Sequence, residues 1–197
     1  MNTFYDYKSL TDHELMRILS TGDEKSFYEL VSRYQQNMVD YITRLVGNAA
    51  RAEELAQDVF IRVFRHRFDY TTDASFATWC YKIATNIARD EYRANSRRIT
   101  KPLAEHLDAV ASPEKGPEEM ASSKEDAARV SSILEQMPEH LREVLVMRDL
   151  QACSYQEIAA TLDLELGTVK SRINRARLAF KEAYMSRIGP FDTRVSP

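Results

Sequence analysis

Apolar residues in this chain return every three or four positions, over stretches too long to be strands. Phe27, Leu30, Val31, Tyr34, Met38, Tyr41, Ile42 and Leu45 form one such run, which stops at Gly47, a residue suited to a helix C-cap. Ala52, Leu55, Ala56, Val59, Phe60, Val63 and Phe64 form a second, and Phe76, Trp79, Cys80, Ile83 and Ile87 a third. Upstream, Thr11-x-x-Glu14 reads as a capping box that opens a shorter helix over 11–20. No alternating strand pattern competes with these runs. Only 5 Gly and 6 Pro interrupt 197 residues, which disfavours a turn-rich β protein. The spacing predicts an all-α fold that begins with a compact four-helix bundle.

The second half repeats this pattern on a smaller scale. Ile133, Leu134 and Met137 close a helix before Pro138, and Leu141, Val144, Leu145 and Arg148 carry the next. Ser154-x-x-Glu157 is a second capping box, starting a short helix over 155–162. Three residues, Asp163-Leu164-Glu165, then lead into a last helix with Val169, Ile173, Ala176 and Phe180 on its apolar face. Leu103–Ser123 differs, with Pro113, Gly116, Pro117, several serines and acids, and no periodicity. The expected organisation is a domain over 1–98, a flexible acidic linker over 99–126, a helical domain over 127–188 and a tail over 189–197. A linker of that length spans about 90–100 Å when extended.

The net charge of -3 conceals a strong segregation. From Arg62 to Lys101 there are nine Lys/Arg against four Asp/Glu, and from Glu165 to Lys181 five against one. Leu103–Asp126 holds seven acids against two Lys. Two basic blocks around an acidic segment point to two surfaces for polyanions. The densest apolar run, Val144–Met147, is far shorter than a membrane span, so no membrane insertion is expected. The N-terminus lacks a basic segment leading into an apolar core, so no secretory signal is read and a cytoplasmic location is expected. Cys80 and Cys153 are too few for a structural zinc site, and His13, His66, His106 and His140 are scattered over the predicted surface. No metal, cofactor or catalytic constellation is expected.

On the last helix, the face opposite Val169, Ile173, Ala176 and Phe180 carries Lys170, Ser171, Asn174, Arg175 and Arg177, with Arg172 near the boundary. A short capped helix and a three-residue turn before it have the dimensions of a helix-turn-helix. Arg there suits a bidentate grip on guanine, Asn on adenine, and Lys or Ser a phosphate contact. In the first domain, Lys82, Asn86, Arg89, Arg93 and Arg97 fall at steps of four, three, four and four and form one polar stripe. Phe76, Trp79 and Tyr81 crowd its start, after a loop containing Tyr70. Cations beside aromatic rings suit single-stranded DNA, although periodicity assigns Phe76 and Trp79 to packing first. Glu53, Glu54, Gln57, Asp58 and Arg62 form a mixed-charge face on the helix before, which alone reads as solvated surface.

The segments Ala52–Phe60, Phe76–Asn86 with Asp90 and Arg93, Ser154–Ala159 and Gly167–Arg172, taken in order, resemble the bacterial sigma factors. More narrowly they resemble the extracytoplasmic-function group, which has only the domains called region 2 and region 4. The match runs from about Asp12 to Met185. The resemblance implies that Glu54, Leu55, Gln57, Asp58, Phe60 and Arg62 dock on the clamp helices of core RNA polymerase. It implies that Tyr70, Phe76, Trp79, Lys82, Asn86, Arg89 and Arg93 read and hold the opened -10 element. It assigns the -35 element to Thr168, Lys170, Ser171, Arg172, Asn174, Arg175 and Arg177. The linker matches a segment that threads the polymerase channel. Partners implied are core RNA polymerase, promoter DNA and an anti-sigma factor, with the free chain monomeric. Glu165 departs from the family's frequent Pro or Ser; its carboxylate suits the helix dipole and repels phosphate.

Two other classes stay open at this level. A self-sufficient helix-turn-helix regulator predicts tight duplex binding as a dimer on a palindrome. A recombinase requires a nucleophilic Ser or Tyr beside an Arg cluster, a constellation the sequence does not present.

Overall fold

A computed structural model describes residues 5–99 and 119–188. The helices are α1 (Asp12–Leu19), α2 (Glu24–Val46), α3 (Ala49–Arg65), α4 (Phe76–Ile99), α5 (Glu119–Gln136), α6 (Glu139–Leu145), α7 (Tyr155–Leu162) and α8 (Leu166–Ile188). A 3-10 turn, Tyr7–Ser9, precedes α1, and a π-helical turn, Val146–Leu150, prolongs α6. All described elements are helical. Most of the segment read as linker lies outside the described residues, but α5 begins at Glu119, inside its expected C-terminal edge.

Local chemistry fixes the helix ends. Both capping boxes form: Thr11 and Ser154 each accept the backbone N–H of a glutamate three residues on, and Glu14 and Glu157 each accept the cap residue's own N–H. Asp23 caps α2 by accepting from the Lys25 and Ser26 amides, and Asn48 caps α3 through Arg51. Ser75 caps α4, its Oγ accepting from the Thr78 amide at 3.1 Å. Gly47 ends α2 at φ +76°, the left-handed conformation that L side chains resist. Arg33 on α2 fastens the N-terminal turn, donating to the carbonyls of Tyr7, Lys8 and Leu10 and to the carboxylates of Asp12 and Glu29.

α1–α4 form the first bundle, with Leu30, Met38, Tyr41, Ile42, Val59, Phe76 and Cys80 fully buried at its centre. α5–α8 form the second around Ile133, Val144, Met147, Ile158, Val169 and Ile173. The two bundles pack directly on each other, α7 against α4 and α5 and α6 against α2, so their cores merge into one apolar cluster. Burial on this scale, at about 25 cal/mol per Å² of apolar surface, is what holds so small a C-terminal bundle folded.

Candidate nucleic-acid and partner interfaces

α3 buries Ala52, Leu55, Ala56, Val59, Phe60 and Val63 and exposes two parallel stripes at four-residue steps. Glu54, Asp58 and Arg62 form one. Glu53, Gln57 and Ile61 form the other and border a groove of about 660 Å³ shared with α2, where Tyr28, Val31 and Val39 line the opposite wall. Phe60 and Phe64 floor it. Tyr28 is 67% exposed and Ile61 45%, so the groove is an apolar strip edged by charge. Leu55 corrects one expectation: at 3% exposure it packs into the bundle core and offers no side chain to a partner. Phe60 is likewise buried, and only its edge reaches the groove.

The loop between α3 and α4 folds back on an aromatic cluster. The Tyr70 ring lies 5.3 Å from Trp79 and 6.2 Å from Phe76, and its hydroxyl is hydrogen-bonded to His13. Phe76 is 1% exposed and belongs to the core, because it falls on the stripe that α4 turns towards Tyr34. Tyr70 and Trp79 are half-buried and keep partly open faces beside the exposed Lys82 and Asn86. Arg93, further along α4, is exposed, with Asp90 3.9 Å away. Arg89 is different. Its guanidinium is engaged by Glu143 of α6 in a two-pronged ion pair, Nε to Oε1 at 2.6 Å and Nη2 to Oε2 at 2.8 Å.

α7, the Asp163–Glu165 turn and α8 form the helix-turn-helix. Asp163 takes φ +55° at the C-cap of α7, and the Glu165 carbonyl accepts the first bond of α8 from Val169. Val169, Ile173 and Ala176 are fully buried, and Lys170, Asn174 and Arg175 are exposed on the other side. Thr168, Ser171 and Arg172 are partly buried, the Ser171 hydroxyl donating to the Thr168 carbonyl. Arg177 departs from the expected reading role. Seven residues on from Lys170 it lies on nearly the same exposed face, but its guanidinium is held by Asp149, Nε to Oδ2 at 2.9 Å.

Residues 30–98 match the sigma-70 region 2 family and residues 127–180 the sigma-70 region 4 family. The chain is 36% identical over 182 residues to the ECF RNA polymerase sigma-E factor of Escherichia coli K12, across 87% of this chain and 93% of that one. It belongs to the extracytoplasmic-function sigma factors. A second relative, the RNA polymerase sigma-H factor of Pseudomonas aeruginosa, is 35% identical over 179 residues with the same coverage. CnrH in complex with the cytosolic domain of CnrY shares the fold at TM-score 0.68 and 24% identity, covering 87% of this sigma factor and 95% of that chain. The sigma factor RpoE in complex with the anti-sigma factor NepR from Bartonella quintana does so at 0.64 and 19%, covering 81% and 96%. The chain is therefore a non-catalytic initiation factor that directs polymerase to promoters. No helix among the described residues is long and apolar enough to cross a membrane.

Sequence reasoning missed the α2 wall of the groove. Tyr28, Gln35 and Gln36 line it, yet on the helical wheel they fall outside the apolar stripe and look like solvated positions. It also missed Phe68, 66% exposed, with the Arg67 guanidinium stacked 4.3 Å from its ring and 4.5 Å from that of Phe64. An aromatic directly after the basic run Arg65-His66-Arg67, just past the end of α3, was the available signal.

Proposed function

We propose that this sigma factor docks core RNA polymerase on the face made by α3 and the α2/α3 groove, reads the opened -10 element with α4, and reads the -35 element with α8. The observation that carries this reading is the division of exposed polar side chains into three separate faces on two bundles. One is apolar with an acidic edge, and two are cationic with hydrogen-bonding amides. Glu54, Gln57, Asp58 and Arg62 stand beside the groove and supply charge at the rim of an apolar contact. Lys82, Asn86 and Arg93 track the strand, with Tyr70 and Trp79 offering ring faces to unstacked bases. Lys170, Asn174 and Arg175 enter the major groove, Thr168, Ser171 and Arg172 hold its phosphates, and Arg177 braces the helix through its ion pair with Asp149. Leu55, Phe60 and Phe76 keep these helices in place from inside. An anti-sigma factor that covers the groove would switch the factor off, a partner of the kind the Bartonella quintana sigma factor RpoE binds in NepR, and the factor works in the cytoplasm.

The domain boundaries proposed for this mechanism are 1–98 and 127–188, with the intervening acidic segment as tether. Asp58→Arg places a cation at the rim of the docking face and is expected to lower co-purification with core polymerase at least tenfold. The same yield of complex would refute the docking assignment.

A further inference from the structure

α1 carries none of the residues assigned above to DNA or polymerase, yet its first turn is anchored from several sides. The Thr11–Glu14 capping box fixes its start. Asp12 accepts from Arg33 Nη1 at 2.9 Å and from the Tyr34 hydroxyl, both on α2. Tyr34 in turn meets Phe76 edge-on at 5.1 Å, at the start of α4. Leu15 and Met16, the next apolar positions, are buried in the core. His13 is therefore held on a fixed post, with its own side chain exposed.

What that post meets is the loop joining α3 to α4. Thr71, Thr72 and Asp73 in this loop are exposed, and Tyr70 ties it down. The Tyr70 ring meets those of His13, 5.6 Å away and inclined by 31°, and Trp79, 5.3 Å away and inclined by 49°. Its hydroxyl is hydrogen-bonded to His13 Nδ1 and donates to the Ala74 carbonyl at 3.4 Å. A phenol has a single proton, so both bonds form together when His13 donates and Tyr70 passes its own proton on to Ala74. Burial holds the Tyr70 pKa up at about 12, so that proton stays in place at neutral pH. The chain of bonds His13–Tyr70–Ala74 thus runs from α1 across the loop to a residue two positions before α4. An aromatic side chain fixed before its ligand arrives gives up less freedom on binding.

We propose that His13 is a positioning residue for the opened -10 element: from α1 it fixes the Tyr70 hydroxyl, and so holds the Tyr70 ring and its loop in the orientation in which an unstacked base can lie on the ring. His13 acts through Tyr70 and not on the strand itself. This rests on Tyr70 being a -10 contact, as proposed above.

The probe is a fluorescein-labelled pool of random single-stranded 12-mers, bound to holoenzyme assembled from core polymerase and the full chain, with core alone as the baseline. Tyr70→Ala removes the ring and is expected to weaken binding most. His13→Ala and Tyr70→Phe each remove one end of the bond and keep an aromatic ring at position 70; each is expected to weaken binding about three- to tenfold. The double variant should bind no more weakly than either single one, because both changes act on one bond. His13→Asn, whose amide N–H can replace the imidazole donor, should recover most of the loss. Trp79 is the chain's one tryptophan, so its emission reports the neighbouring Tyr70 ring in the free protein. His13→Ala is expected to shift that emission to longer wavelength, with helical circular dichroism unchanged. Suppose Tyr70→Ala weakens binding, but His13→Ala does not, or its loss adds to that of Tyr70→Phe, or His13→Asn recovers nothing, or the emission stays where it was. Any of these overturns the positioning role and leaves the reading of Tyr70 standing. Binding by Tyr70→Ala equal to that of the wild type overturns that reading, and the positioning role with it.

Discussion

Arg175 and Arg177 stand two residues apart on α8 and play different parts. Arg175 is exposed on the face away from Val169 and Ile173, whereas Arg177 is spent on Asp149. Arg175→Ala is expected to cost about 1–3 kcal/mol of promoter binding at one -35 position and to relax the preference there. Binding to a panel of single-base promoter variants tests this; an equal loss on all of them would contradict base readout. Arg177→Ala should lower thermal stability slightly, by roughly 0.5–1 kcal/mol for a partly exposed ion pair, with the base preference intact. Gly47→Ala forces a side chain into φ +76° and against Glu135, so a loss of about 1 kcal/mol or more in denaturant unfolding is expected. At this scale the sequence was legible for Lys170, Asn174 and Arg175, whose exposure follows from helical spacing. It was not legible for Arg89 and Arg177, because their carboxylate partners lie 54 and 28 residues away and no local rule links them.

The helices themselves were the most readable feature. Period, caps and the breaks at Gly47 and Pro138 are local, and each corresponds to an observed helix end. Ser154→Ala removes the hydroxyl of the second capping box and should cost about 1 kcal/mol, read as a lower unfolding midpoint, with α7 and hence the helix-turn-helix frayed first. An unchanged midpoint would contradict that role. The π-helical turn escaped prediction because its closing bond, Gln151 N–H to the Val146 carbonyl, leaves no mark on apolar spacing. It matters nonetheless, since it delivers Asp149 to α8 and Gln151 to α4. Burial pushes the Cys80 thiol well above its ordinary range and the Cys153 thiol up to about 11. Both are therefore protonated at neutral pH, and alkylation by iodoacetamide at pH 7.5 is expected to be slow until denaturant is added. Rapid labelling of the native protein would contradict that protection.

At the scale of the whole molecule, the two-bundle design was readable from the acidic, Pro- and Gly-containing interruption between two helical regions. How the bundles meet was not, because a helix face that covers another domain looks like any other amphipathic face. The α2/α3 groove was hidden for a related reason: its walls come from two helices whose relative rotation no sequence period states. Two weak DNA readers on one chain gain affinity when a third body fixes their spacing, because the second contact becomes intramolecular. That logic accounts for a factor of net charge -3 carrying two cationic faces. The most direct measurement is run-off transcription by purified core RNA polymerase on a genomic promoter library, with and without this chain. The account predicts discrete start sites that appear only with the wild-type chain and fade with Asp58→Arg. A library transcribed identically in its presence and absence would contradict it.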